Sequence, residues 1–144
     1  MKRWSRLLYF LPAAAHYGFI FYLSAQSSFP IEAPFAAFDK IAHAGLFALL
    51  GFLLSLGADR GTRLSSRKRV WIVLFLGIAL GLLDEFHQEF VPSRFPDILD
   101  AAVDAAGIIL GWIAYGFLSR AMSARRERIK GSGRGSGRIS SAFF

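Results

Sequence analysis

Four long apolar segments, separated by short polar connections, dominate the pattern of residues along the chain. They cover residues 7–24, 41–58, 70–83 and 98–118. A helix needs roughly 20 residues to cross the hydrocarbon core of a bilayer. The first, second and fourth segments are long enough, and the third becomes so if its helix continues to Phe86. The pattern therefore predicts four membrane-spanning helices.

Positive charges alternate between the polar connections. Of the 17 Lys and Arg residues, 15 lie before the first segment, between the second and third, or after the fourth. Only Lys40 and Arg94 lie in the other two connections. Because Lys and Arg concentrate in the cytoplasmic loops of membrane proteins, both termini are expected in the cytoplasm. The expected fold is all-α, an antiparallel bundle of four transmembrane helices.

Composition supports a membrane protein over the alternatives. Hydrophobic residues make up 54% of the 144 residues, and the net charge is +7. A basic protein raises the question of nucleic acid, but the cations here alternate around apolar segments instead of forming one patch, so no nucleic-acid partner is expected. The chain has no cysteine, which excludes disulfides and thiolate metal ligands. A cleaved signal peptide is the alternative for the first segment, but that segment is long for one and contains His16.

The last part of the chain has a different character. Residues 131–138 are a low-complexity stretch of Gly, Ser and Arg. Such a composition favours a flexible chain, and its positive charge suits the surface of an anionic leaflet. We therefore expect a membrane domain over residues 1–118 and a flexible basic cytoplasmic tail over residues 119–144.

Ionisable residues gather at the same end of three predicted helices. They open the second helix, close the third and open the fourth; they are Asp39, Lys40, His43, Glu85, Asp100 and Asp104, and the polar Gln88 lies beside them. A charged residue costs about 2.5–3.5 kcal/mol at the bilayer centre, so such residues persist where they pair, line a cavity or perform chemistry. Since helices pack alongside one another, we expect these side chains to form a polar pocket that opens away from the cytoplasm.

Glycines continue the polar stripes further along two helices. Gly77 and Gly81 lie on the face of Glu85, and Gly107 and Gly111 follow Asp104 at helical spacing. Small residues spaced by four let helix backbones approach closely in a membrane. These glycines therefore predict tight packing inside the bundle, or contact with a second copy of the chain.

The polar residues suggest several kinds of chemistry. Candidate catalytic residues are Glu85, His43, Asp100 and Asp104, because imidazole and carboxyl groups serve as general acids and bases. Candidate ligand-binding residues are Lys40, Gln88, Arg94 and Asp39, whose cations suit a phosphate or an anionic lipid head group. The set His43, Glu85 and Asp104 could also bind a divalent metal. Plainer roles are open for three of them: Asp39 as a helix cap, Lys40 as a snorkelling side chain and Arg94 as an ion-pair partner.

The motifs resemble the VanZ-like family of small bacterial membrane proteins over roughly residues 5–118. The resemblance rests on Ser24-Ala-Gln26, on Asp39-Lys40-x-x-His43, on Glu85-x-x-Gln88-x-Phe90-x-Pro92-x-Arg94, and on Asp100-x-x-x-Asp104 with its two following glycines. Two positions differ from the family pattern, which usually has Asn in place of Asp104 and commonly Tyr in place of Phe47. The first difference adds a carboxylate to the expected pocket, and the second removes a hydroxyl.

The resemblance implies a multi-pass protein of the bacterial plasma (inner) membrane that acts at the cell envelope. The family takes its name from a protein linked to resistance to the glycopeptide teicoplanin. We therefore expect the partners to be membrane lipids, a lipid-linked envelope precursor or a glycopeptide. Two alternatives remain: a small transporter coupled to protons or cations, and a scaffold in which the polar cluster only holds helices together.

Overall fold

The computed structural model describes residues 3–26, 38–92 and 98–136 of the chain, and these residues are helical almost throughout. The helices are α1 (Arg3–Leu7), α2 (Leu11–Ser24), α3 (Phe38–Gly61), α4 (Ser66–Gln88) and α5 (Ile98–Ser136), with a 3₁₀ turn at Leu8–Phe10 between the first two. No strand occurs within the described ranges. The expectation of an all-α protein is confirmed.

Four helical stretches are long and apolar enough to cross a membrane. They are Ser5–Ser24, Phe38–Gly61, Ser66–Gln88 and Ile98–Lys130. Each helical stretch extends beyond the apolar segment from which it was predicted, at one end or at both. Polar residues that flank these segments, such as Lys40 and Arg69, continue the helix. The four-span bundle is therefore confirmed, while its orientation in the membrane remains a prediction.

The first span is interrupted near its start. Pro12 occupies the first turn of α2, directly after the 3₁₀ turn. Proline has no backbone N–H and is tolerated only where that donor would be unsatisfied, as in the first turn of a helix. The sequence predicted one continuous helix here, and Pro12 explains why the helix instead begins anew.

Helix α3 lies at the centre of the bundle. Its buried side chains Phe47, Leu50 and Leu54 pack against Ile20 of α2 and Ile108 of α5. Its most extensive contact is with α5, which is remote in sequence. The outward faces of the other helices carry many exposed large apolar side chains, as expected for surfaces that face lipid.

Glycines bring α3 and α5 into backbone contact. A Cβ atom at Gly107 would lie 2.7 Å from the carbonyl oxygen of Ala44, and one at Gly111 would overlap the carbonyl oxygen of Ala48. Gly51 on α3 faces the backbone of Ile108 in the same way. Only glycine permits this approach, because any side chain would collide with the backbone of the facing helix.

The glycines for which contact with a second copy was one expected role therefore pack against other helices of the same chain. Gly77 and Gly81 on α4 also face inward, toward Ile108 and Asp104 of α5. All four glycines thus lie in the interior of the bundle, which favours the first of their two expected roles, tight packing between helices of one chain. Assembly with a second copy remains a prediction, and it would need another surface.

Helix α5 continues well past residue 118. It extends to Ser136 and so includes much of the segment expected to be a flexible tail. Ala, Met, Arg, Glu and Lys, which dominate residues 121–130, favour helix by intrinsic propensity, and the side chains there are exposed. Residues 137–144 lie outside the described residues, and the boundary between domain and tail remains a prediction.

Candidate functional site

Four helix termini meet at one end of the bundle, which we call the polar end. It comprises the last turn of α2, the first turns of α3, the last turns of α4 and the first turns of α5. Hydrogen bonds between side chains from different helices connect these termini. The predicted convergence of polar residues from three helices is therefore observed, and a fourth helix contributes as well.

A buried pair joins α3 to α5. His43 Nδ1 lies 3.1 Å from Asp104 Oδ1, and both side chains are buried. With Nδ1 donating its hydrogen to the carboxylate, Nε2 of His43 is left as an acceptor. The second oxygen of Asp104, Oδ2, has no hydrogen-bond partner among the described residues. The imidazole thus has one nitrogen available for a proton or a metal ion.

Glu85 brings α4 to the same place. One ligand atom from each of His43, Glu85 and Asp104 can be chosen so that all three lie within 4.8 Å of one another, and all three residues are buried. One imidazole nitrogen and two carboxylate oxygens are suitable ligands for a divalent metal such as Zn²⁺ or Mn²⁺. The residues suggested by the sequence for a metal therefore do approach one another in the structure.

Lys40 and Asp100 form the outer rim of this cluster. Lys40 Nζ donates a hydrogen bond to Asp100 Oδ1 at 2.5 Å. The side chain of Lys40 is 35% exposed, whereas that of Asp100 is only 12% exposed. Burial therefore increases from Lys40 toward Asp104, which is 1% exposed. An anion approaching the polar end would meet the ammonium of Lys40 before any of the buried carboxylates.

A second polar layer connects α2 to α4. Ser24 Oγ donates to Asp84 Oδ2 at 2.7 Å, and Gln88 Nε2 donates to the same oxygen at 3.1 Å. Asp84 is completely buried. Its other oxygen, Oδ1, has no hydrogen-bond partner among the residues that the structure describes.

Sequence reasoning missed Asp84 and Ser24 as site residues. Gln88 was predicted, and it lies where it contacts both. A signal was available for Asp84, because it follows Gly77 by seven residues and Gly81 by three, and precedes Gln88 by four. These spacings place it on the inward face of α4. For Ser24 the only signal was its place in the Ser24-Ala-Gln26 motif of the resemblance, which does not reveal a partner 60 positions away.

The polar end contains more acid than base. Within the described ranges it holds four buried carboxyl groups, from Asp84, Glu85, Asp100 and Asp104, and the partly exposed Asp39, against the ammonium of Lys40 and the imidazoles of His43 and His87. If the four buried carboxyl groups were ionised and His43 were protonated, these four groups together with Lys40 and His43 would carry two net negative charges. An excess of negative charge in a buried site is costly, so binding of a cation there would be favoured.

One of the predicted residues contributes less to this geometry, and another lies outside the described residues. Asp39 lies in the first turn of α3, where an acid interacts favourably with the helix dipole, and it is partly exposed. Arg94 lies outside the described residues, so its expected role as a cation of the pocket remains a prediction. Phe47, which stands where Tyr was expected from the resemblance, is fully buried beside the ring of His43.

The other two histidines have structural surroundings. His16 Nε2 bonds to the carbonyl oxygen of Leu46 at 2.9 Å and so joins α2 to α3. His87 stacks on Phe21, with ring centroids 4.1 Å apart. His43 is thus the only histidine that contacts a carboxylate of the polar end within the part of the chain that is described.

Comparison with known proteins gives a family match over most of the chain. Residues 4–119 match the family model described as VanZ/LLP1. No curated protein and no solved structure shows significant similarity to the chain. The matched range includes all four spans up to residue 119, and every residue of the polar end lies within it.

Proposed function

The chain belongs to the VanZ/LLP1 family, and from that premise we propose that it acts at the bacterial cell envelope, where its polar end binds the anionic head group of a lipid- or glycan-linked ligand. The observation that carries the proposal is the convergence of buried ionisable side chains from three helices at one end of a membrane bundle. Ionisable side chains inside membrane bundles are rare, and they persist where they pair, line a cavity or perform a function.

The rim residues supply the first contact in this proposal. Lys40 is the most accessible charged side chain of the cluster, and its ammonium provides three donors for a phosphate or carboxylate. A ligand that takes hydrogen bonds from Lys40 would compete with Asp100 for this group. Arg94, which is close in sequence to the end of α4, is proposed to provide a second cation.

The buried residues supply the chemistry. With Asp104 accepting from Nδ1, His43 is oriented to take a proton at Nε2, which is the arrangement of an oriented general base. Glu85 is the alternative base. In the catalytic form of the proposal these groups act on the bound ligand, and in the weaker form they only recognise it. Either form could alter the susceptibility of the cell to a glycopeptide by changing access to its target.

A divalent metal at His43, Glu85 and Asp104 is the second part of the proposal. The specific observation in its favour is Asp104 Oδ2, a buried carboxylate oxygen without a hydrogen-bond partner among the described residues. A cation there would satisfy that oxygen and offset the excess of negative charge. The metal would also attract a phosphate that enters past Lys40.

Native mass spectrometry of the purified protein in mild detergent tests ligand binding. Wild type is compared with Glu85→Gln and His43→Ala, and with Glu89→Gln as the control, because Glu89 is exposed one turn further along the chain. We expect an additional mass on wild type and on Glu89→Gln that both site variants lack. Four folded proteins without any bound mass would contradict the proposal and favour a purely structural cluster.

Metal binding is tested separately with Zn²⁺ and Mn²⁺ by calorimetry on the metal-depleted protein. Asp104→Asn retains an oxygen that accepts from His43 but removes a charged ligand. We expect the affinity to fall by more than about tenfold, because even outer-sphere losses cost about that much. The affinity of Glu89→Gln should not change. Equal affinity in Asp104→Asn and wild type would exclude this site.

Two alternatives give different results. A proton- or cation-coupled transporter would depend on the proton-motive force, which a binding protein or an envelope enzyme would not. In a scaffold, Glu85→Gln would lower thermal stability but leave no functional defect in the protein that still folds. Four short helices also leave little room for alternating access within one chain.

The proposed orientation places both termini in the cytoplasm of a plasma-membrane protein and the polar end on the opposite side. Because the chain has no cysteine, single introduced thiols can report sidedness. A membrane-impermeant maleimide applied to intact cells should label Glu89→Cys but leave Ser65→Cys unlabelled until the cells are opened. The reverse pattern would overturn the orientation.

A further inference from the structure

The opposite end of the bundle holds a cavity that the proposed function does not use. It has a volume of about 380 Å³ and lies between the last turns of α3, the first turns of α4 and the part of α5 around residue 116. Its lining includes Asp59, Arg69, Val73, Trp112, Phe117 and Arg120. We call this end of the molecule the basic end.

One part of the cavity wall is polar and carries more positive than negative charge. Asp59 is the only acid that lines it in the described part of the chain, and its oxygens are occupied: Oδ1 lies 3.0 Å from Arg69 Nη1, and Oδ2 accepts from the Tyr115 hydroxyl at 2.8 Å. Arg120 also lines the cavity and makes no ion pair with any described residue. An anion placed here would gain a cation without displacing the existing contacts of Asp59.

The other part of the wall is apolar. Val70 and Val73 of α4 face Ile113 and Phe117 of α5, and Phe117 is largely exposed. Gly116 lies between them and leaves open space where a side chain would be. A hydrocarbon chain fits such a groove between two membrane helices, because lipid tails fill space that side chains leave vacant.

We propose that this cavity binds a single anionic phospholipid, with the phosphate at Arg120, beside the Arg69–Asp59 pair, and an acyl chain along Val73 and Phe117. Charge complementarity supports this choice of occupant, since basic pockets between membrane helices recognise anionic head groups and the anionic leaflet faces the cytoplasm. Within the described ranges, this end also carries most of the cations. The proposal does not depend on the function of the polar end.

Native mass spectrometry with added lipid tests the proposal. Purified wild type is mixed with phosphatidylglycerol, with phosphatidylcholine of the same chains, or with inorganic phosphate alone. We expect one phosphatidylglycerol to be retained in preference to phosphatidylcholine, and Arg120→Gln to weaken that preference about fivefold, the effect of one cation near the membrane surface. Arg126→Gln, on the exposed extension of α5, is the matched control and should not alter the preference.

A second variant tests the cavity itself. Gly116→Leu introduces a side chain into open space, so it should exclude the lipid without disturbing the backbone, whereas Gly18→Leu also faces open space but lies on α2, away from the cavity. Retention of phosphatidylglycerol by Gly18→Leu and its loss from Gly116→Leu would support the proposal. Equal retention by both, equal binding of phosphatidylcholine, or binding of inorganic phosphate in place of the lipid would overturn it.

Discussion

The two ends of the bundle carry charge in opposite ways. At the polar end, carboxyl groups from two helices are buried, and the partly exposed Lys40 is at the rim. At the basic end, Asp59 lies between Arg60 and Arg69, and its own side chain is 35% exposed. Both ends contain a hydroxyl that donates to an aspartate on another helix, Ser24 to Asp84 and Tyr115 to Asp59, at 2.7 and 2.8 Å.

The difference between the polar end and the basic end illustrates two reasons why a membrane protein contains charged residues. Long arginine side chains near the ends of membrane helices reach the interface at little cost, so the arginines at the basic end bear on the predicted orientation. The carboxyl groups at the polar end are withdrawn from water, which is costly for each of them. We therefore expect ligand binding at the polar end and interactions with the leaflet surface at the basic end.

The largest expected effect comes from disrupting the backbone contact between α3 and α5, the two helices that contribute to both ends of the bundle. Gly111→Ala places a methyl group against the backbone of α3 at Ala48. Since the facing atoms belong to a backbone that cannot rotate away, we expect a loss of about 3 kcal/mol in the free energy of unfolding, at the upper end for overpacking. Thermal or denaturant unfolding in detergent measures it.

Gly45→Ala is the matched control for this change. Gly45 lies on α3, and a methyl group there meets no atom within 4 Å. We expect a small gain of about 0.5–1 kcal/mol from the better helix propensity of alanine. Opposite signs for the two alanines would support backbone contact between α3 and α5, and equal effects would contradict it.

The next effect comes from the buried hydroxyl at the polar end. Ser24→Ala removes one of the two donors to Asp84 Oδ2 and leaves a deeply buried carboxyl less satisfied. Hydrogen bonds to charged groups contribute about 1.5–3 kcal/mol. We expect a stability loss in that range. A loss below about 0.5 kcal/mol, the typical scatter of surface substitutions, would mean that Asp84 does not depend on α2.

The equivalent change at the basic end should cost less. Tyr115→Phe removes the donor to Asp59 Oδ2 but leaves Arg69 in place, and Asp59 is partly accessible to water. We expect a loss of about 1 kcal/mol, typical of a single hydrogen bond. Measuring Tyr115→Phe and Ser24→Ala in the same detergent compares the contribution of one hydroxyl at each end to the free energy of unfolding. A larger loss for Tyr115→Phe would reverse the comparison.

The smallest effect belongs to an exposed ion pair. Arg60 Nε lies 4.0 Å from Asp59 Oδ2, and the Arg60 side chain is 50% exposed. Exposed pairs contribute about 0–1 kcal/mol and weaken with salt. We expect Arg60→Gln to change stability by less than about 0.5 kcal/mol, and unfolding at low and high ionic strength checks it. A loss of stability well above that value would show that charged side chains at the basic end also stabilise the fold.

The helices and much of the polar end follow from the sequence because their signals are local. Apolar length predicts the spans, and the stripe from Asp100 through Gly107 predicts which face of α5 turns inward. The contacts of Ser24 and the cavity near Gly116 do not follow in this way. Each depends on how helices remote in sequence are arranged, and the apolar pattern does not encode that. The break at Pro12 had a local signal, which the continuous apolar pattern concealed.

The pairing of α3 with α5 has a consequence for biogenesis. His43 and Asp104 are 61 positions apart, so α3 leaves the ribosome and enters the translocon well before its partner helix exists. Until α5 is inserted, the face of α3 that carries Gly51 must face lipid or the neighbouring α4. The polar end is therefore completed last, when α5 docks and delivers Asp100 and Asp104 together, and the site exists only in a chain whose synthesis has passed all four spans.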